Sequence, residues 1–168
     1  MSTTVHYFGK IRNPEAVREL QEEFREIAQV SGWTHEMVDH VYAAPSGETP
    51  AVRLSLRGIR LTLSKTTTPF QMTFDKDGYL SHIFYEKASP SALPGMKPAG
   101  TSRRILHQVH TSTSLRTGDA SAHITLVKLL YYAKKRYIPN LEVIDNTGYW
   151  YSRDESVLAA RKLELISK

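Results

Sequence analysis

At the start of the chain Val5, Tyr7, Gly9 and Ile11 alternate with His6, Phe8 and Lys10, the period-two pattern of a short strand. Asn13-Pro14 then predicts a helix start. Asn caps the free amides, and Pro fits a first turn where no donor is needed. Val17, Leu20, Phe24, Ile27 and Ala28 form one apolar stripe at helical spacing, and Gly32 follows as a stop. The opposite face carries Glu15, Glu19, Glu22, Glu23 and Glu26. Between residues 33 and 43 the pattern fits either a helix or an irregular strand, and 45–50 reads as a turn or loop.

Val52, Leu54 and Leu56 alternate with Arg53, Ser55 and Arg57. After Gly58 the phase flips, and Ile59, Leu61 and Leu63 alternate with Arg60, Thr62 and Ser64. A hairpin turn at Arg57-Gly58, or one strand with a bulge at Gly58, would bring every apolar residue to one face. Leu54, Leu56, Ile59 and Leu61 are then expected buried together, with Arg53, Arg57 and Arg60 on the polar face. Phe70, Met72 and Phe74 predict another strand. Asp75-Lys76-Asp77-Gly78 is its turn and 79–85 its returning partner.

Three prolines and two glycines in 88–102 predict a mobile loop within one domain. Residues 104–113 read as a strand. Asp119 caps a helix running to about Tyr137, with Leu126, Val127, Leu130 and Ala133 inward. A short strand over 141–144, a turn at Asn146-Thr147-Gly148 and a last helix opened by Ser152 and Glu155 complete the pattern. Runs of strands flanked by helices predict a single-domain α+β fold over 1–168. One antiparallel sheet of about six to eight strands is expected to pack against two or three helices.

Charge sharpens this picture. Residues 1–50 carry a net −4, residues 51–140 a net +10, and residues 141–168 a net −1. A basic middle between acidic ends points to a positive surface and an anionic partner: an acidic protein, a phosphorylated ligand or nucleic acid. The best candidate is the strand face with Arg53, Arg57 and Arg60, because guanidinium forks match phosphate and carboxylate. The bland alternative is the polar face of a half-exposed sheet. Lys134, Lys135 and Arg136 form another cluster. Favourable interaction with the helix dipole, about 0.3–1 kcal/mol each, accounts for them without a ligand. Tyr149 and Trp150 follow closely and keep a stacking surface for nucleic acid in view, although such aromatics are more often core or interface residues.

Other chemistry finds little footing. The chain has no cysteine, which excludes disulfides and thiol catalysis. Seven histidines show no ligand spacing, so no metal or cofactor is expected; His123 reads as a core residue of its helix. No nucleophile elbow, zinc-protease, P-loop or dinucleotide motif is present. A site assembled from His110, Ser112 and Asp119 has nothing to single it out. Without a signal-peptide pattern or membrane span, a cytoplasmic protein is expected. The function that follows is a non-catalytic binding module for an anion. Its rival is a small-molecule enzyme or carrier with a pocket between sheet and helices, gated by 88–102. A third reading is a homodimer in which the Glu-rich helix of one subunit meets the basic sheet of the other.

Overall fold

The computed structural model describes residues 2–43, 53–87, 103–108, 111–116 and 119–166. Over 41–43, 53–54, 83–87, 103–108, 111–116 and 161–166 the description is confined to the backbone. The fold is α+β. Strand β1 (Ser2–Phe8) leads through a 3-10 turn (Pro14–Ala16) into α1 (Val17–Ser31). Strands β2 (Thr34–Ala43), β3 (Arg53–Thr62), β4 (Phe70–Phe74), β5 (His82–Lys87), β6 (Arg103–Gln108) and β7 (Thr111–Arg116) follow. The chain ends with α2 (Ala120–Arg136), β8 (Glu142–Asp145), α3 (Tyr149–Ser152) and α4 (Glu155–Ile166). No helix among the described residues is long and apolar enough to cross a membrane.

The strands do not form the single sheet expected. They make two three-stranded antiparallel sheets, β7-β1-β8 and β2-β3-β4, and a separate β5-β6 pair. The reason lies at the outer edge of β4. There the Tyr7 hydroxyl donates to the Gln71 carbonyl at 2.8 Å and accepts the Gln71 amide at 3.0 Å. One side chain thus satisfies backbone groups that a neighbouring strand would otherwise take. The Asp75-Lys76-Asp77-Gly78 turn forms, with Gly78 at φ 87°, but only Leu80 bridges back to Phe74. Beyond it β5 pairs with β6 instead of β4. The stretch read as one strand over 104–113 is likewise two, β6 and β7, serving different sheets.

Segment 34–43 is a strand, not a helix. No hairpin forms at Arg57-Gly58, because β3 is the central strand of its sheet and runs straight through. Nor does a bulge restore the phase. Pairing passes residue for residue from Arg57↔Asp39 through Gly58↔Val38 to Ile59↔Met37. Ile59 and Leu61 therefore share a face with their partners Met72 and Phe70 in the main core, while buried Leu56 lies on the other face. The phase flip marks a strand that is buried first on one side and then on the other. The side chain of Leu54 and the 88–102 segment lie outside the description.

The first helix behaves as its pattern predicts. Asn13 accepts from the Glu15 amide, Pro14 occupies the first turn, and Gly32 closes α1 in the left-handed conformation at φ 72°. Val17, Leu20, Phe24 and Ala28 are buried against the β3-β4 face, where the Phe24 and Phe70 rings stack at 6.2 Å. Truncating a fully buried ring such as Phe24 to alanine costs about 3–5 kcal/mol. Gln21 reaches from α1 to the Gly58 carbonyl at 2.8 Å and to the Val38 carbonyl at 3.4 Å. It ties the helix to the β2-β3 ladder at the glycine.

Gly58 has φ 155°, and a Cβ there would sit 1.8 Å from the Met72 carbonyl oxygen. The three nearest atoms are all backbone of Met72 and Thr73 on β4, which cannot swing aside as a side chain would. Gly58→Ala is therefore expected to destabilise the protein by about 4 kcal/mol or more in urea unfolding. A loss under about 1 kcal/mol would show that β3 and β4 are not paired here.

Candidate functional site

The structure separates the residues that the sequence groups together. Arg57 and Arg60 lie three apart on an unbroken strand, so they face opposite sides of the sheet. Arg57 is exposed. Arg60 faces Glu36 across the ladder at 3.4 Å. It also lies near His82, whose ring is hydrogen-bonded to Gln71 and whose pKa is lowered first by burial and then by the Arg60 charge. The side chain of Arg53 lies outside the description, as do those of His110 and Ser112. Asp119 caps α2 through the Ala122 amide and holds the hydroxyls of Ser64 and Thr66.

Two of the three cations at the end of α2 have internal work. Lys134 donates to the Leu141 carbonyl at 2.6 Å, supporting the turn into β8. Arg136 pairs with Glu23 at 2.7 Å and Glu19 at 3.1 Å on α1. Tyr132 donates to the same Glu23 at 2.6 Å. Burial alone would raise the Glu23 pKa, but the hydrogen bonds from Tyr132 and Arg136, with the Arg136 charge, outweigh it and hold the value low. Part of the acidic face of α1 thus meets the basic end of α2 within one chain. Lys135 is exposed and has no ion pair among the described residues. Two depressions border α1, one of about 220 Å³ beside Arg12 and Arg136, the other of about 490 Å³ beside Ile27, Val30 and Tyr132. Neither lies between sheet and helices.

The aromatic pair divides. Tyr149 is buried, its ring edge-on to His123 at 5.9 Å. Trp150 is half-buried and holds the Arg153 guanidinium 4.6 Å from its ring centre. The same guanidinium lies 4.8 Å from the ring of Tyr131, which is 51% exposed on α2. Arg153 is thus flanked by two aromatic rings. It ends α3 at φ 55°, the left-handed region that a residue with a Cβ enters at a cost of about 1–3 kcal/mol. Asp154, its neighbour in sequence, turns its carboxylate to Ser156 at the start of α4, which lowers the Asp154 pKa and leaves Arg153 without an acidic partner among the described residues. Asp154 caps that helix where the pattern assigned Ser152.

Lys128 and Lys135 flank Tyr131 at i−3 and i+4 on α2, so the three share one exposed stripe. That helix carries four cations and no acidic residue. Lys128, Tyr131, Lys135, Trp150 and Arg153 together form a basic and aromatic surface. Of these, Lys128, Tyr131 and Arg153 were not singled out from sequence. The first two stand in a legible helical row opposite the core face. Nothing local marks Arg153, whose contact with Tyr131 arises only when α3 meets α2.

A buried pair fixes this meeting. His123 on α2 and Asp145 at the end of β8 join at 2.9 Å, both side chains fully buried. Asp145 also accepts from the Thr147 hydroxyl at 2.7 Å, the Thr147 amide at 3.0 Å and the Trp150 amide at 3.1 Å. The carboxylate therefore ties α2, the turn and α3 together. His123 Nδ1 has no hydrogen-bond partner among the described residues. No family model, curated protein or solved structure matches this chain.

Burial by itself would raise the Asp145 pKa. Hydrogen bonds from His123 and Thr147, with the histidine charge, outweigh burial and hold it below the ordinary range. Its stabilising contribution is present above the unfolded value of about 3.9 and is lost as pH falls through the lower folded value. The stability gap between wild type and Asp145→Asn should therefore narrow over that acid range, read by urea unfolding. Asp145→Ala should cost about 1–3 kcal/mol or more near neutral pH, since it leaves the buried His123 ring and the Thr147 amide and hydroxyl without their acceptor. A loss below about 1 kcal/mol would show that the pair is not needed.

Proposed function

We propose that this protein is a non-catalytic binding module for an anionic partner, and that it binds through the α2–α3 surface rather than the arginines of β3. The observation that carries the reading is Arg153, exposed and with no acidic partner among the described residues, set against Tyr131 and Trp150 beside Lys128 and Lys135. An unpaired guanidinium held against two rings keeps its donors free for phosphate or carboxylate. The left-handed backbone at Arg153 supports the same reading, because strain of this kind gathers where a side chain must be aimed. On β3, by contrast, Arg57 and Arg60 face apart and Arg60 already has Glu36. Nucleic acid, a phosphorylated ligand and an acidic protein all fall within this reading.

Retention on a heparin column tests it. Wild type should bind at about 50 mM salt, where phosphate-like contacts are strongest. Lys128→Gln, Lys135→Gln and Arg153→Gln combined should elute at clearly lower salt, with an unchanged unfolding midpoint. Arg53→Gln, Arg57→Gln and Arg60→Gln combined should elute like wild type. Flow-through of wild type would remove the proposal. Loss of retention in the β3 variant alone would return the site to that strand.

A further inference from the structure

Resting on that reading, we infer that the α2–α3 surface takes single-stranded nucleic acid, with bases stacking on the Tyr131–Arg153–Trp150 assembly and phosphates meeting Lys128 and Lys135. Sequence-tolerant single-strand binders combine cations that follow the backbone with flat groups that receive bases. Both kinds of group stand here in one place. The Arg153 guanidinium lies 4.8 Å from the Tyr131 ring centre and 4.6 Å from that of Trp150. The Tyr131 ring is half exposed, so one receiving surface is open without rearrangement.

Spacing agrees with a strand. Lys128 and Lys135 are two turns of α2 apart, about 10 Å along its axis. That separation lets the two ammonium groups meet different phosphates of one strand, as a cationic track along a single strand requires. The buried Asp145 carboxylate accepts the Trp150 amide at 3.1 Å and the His123 ring at 2.9 Å, so the α3 side of the surface is fixed before any ligand arrives. A platform already in place spends little binding energy on ordering. Duplex is the poorer fit, since its bases are stacked on one another and offer no free face to Tyr131. An acidic protein would use the three cations but would not need the rings.

Fluorescence anisotropy with labelled oligo(dT) of about 20 nucleotides, longer than a typical single-strand site, decides this. Wild type should bind it more tightly than a duplex of the same length or poly-glutamate. Tyr131→Leu should weaken oligo(dT) binding about tenfold while leaving heparin retention unchanged. Arg153→Lys keeps the charge and loses the plane, so it should behave the same way. Circular dichroism of both variants should match wild type, because Tyr131 and Arg153 are exposed. Equal or tighter binding of duplex or poly-glutamate, or undiminished oligo(dT) binding by Tyr131→Leu, would overturn the single-strand inference and leave the anion-binding reading standing. Failure of wild type to bind heparin would remove both.

Discussion

Asp145 leaves water at the end of β8 and is met there by the His123 ring, the Thr147 hydroxyl and amide, and the Trp150 amide. A buried carboxylate is tolerated only when its lone pairs are filled, and four donors fill them here. The requirement works in three directions. It sets the rotation of α2, because His123 must face β8. It closes the turn at Gly148, which adopts φ 77°. It also fixes the backbone of α3, so that Tyr149 packs inward against His123 and Val127 while Trp150 stands at the boundary. The basic and aromatic surface is a consequence of this burial.

Another constraint joins the two ends of the charge pattern. In isolation, the acidic face of α1 and the basic end of α2 would each suit a separate partner molecule. In the fold they partly answer one another, through Arg136 with Glu19 and Glu23 and through Tyr132 with Glu23. Exposed pairs of this kind each contribute little to stability. Their main effect is on what stays available. Arg136, Lys134 and Arg60 are engaged within the chain, whereas Lys128, Lys135 and Arg153 have no ion pair among the described residues. A net positive charge attracts anions, but the cations left unanswered decide where they would settle.

The divided sheet follows from a similar demand on backbone groups. Strand edges must be paired, covered or blunted. At β4 the edge is met by a single hydroxyl, that of Tyr7, which takes both the amide and the carbonyl of Gln71. The β1 sheet and the β2-β3-β4 sheet are thereby joined through a side chain and a shared core instead of a continuous ladder. Phe70 receives Tyr7 on one side and Phe24 on the other, at 5.6 and 6.2 Å, so the strand, sheet and first helix close on one ring.

Local rules were sufficient for the elements that local energies decide. The stripe from Val17 to Ala28, the cap at Asn13, the stop at Gly32 and the cap at Asp119 could all be read from spacing and residue type. Each depends on groups within a turn or two of chain. The β3 pattern could not be resolved in this way, because a strand that changes its buried side has the same periodicity as a hairpin or a bulge. Only the neighbours on each face, Val38 and Thr73 on one side and Met72 and Phe70 on the other, distinguish the three. His123 was legible as a core residue but not as the partner of Asp145, since a contact across 22 residues leaves no trace in either segment. Arg153 was the least legible of all. Its sequence neighbours are Asp154 and Glu155, which imply local ion pairing, yet Asp154 turns to cap α4 and the guanidinium stacks instead on rings from α2 and α3. Composition and periodicity determined that the chain is α+β with a basic middle, whereas tertiary packing decided which cations are spent inside the molecule and which face outward, because pairing depends on distances that only the folded chain defines.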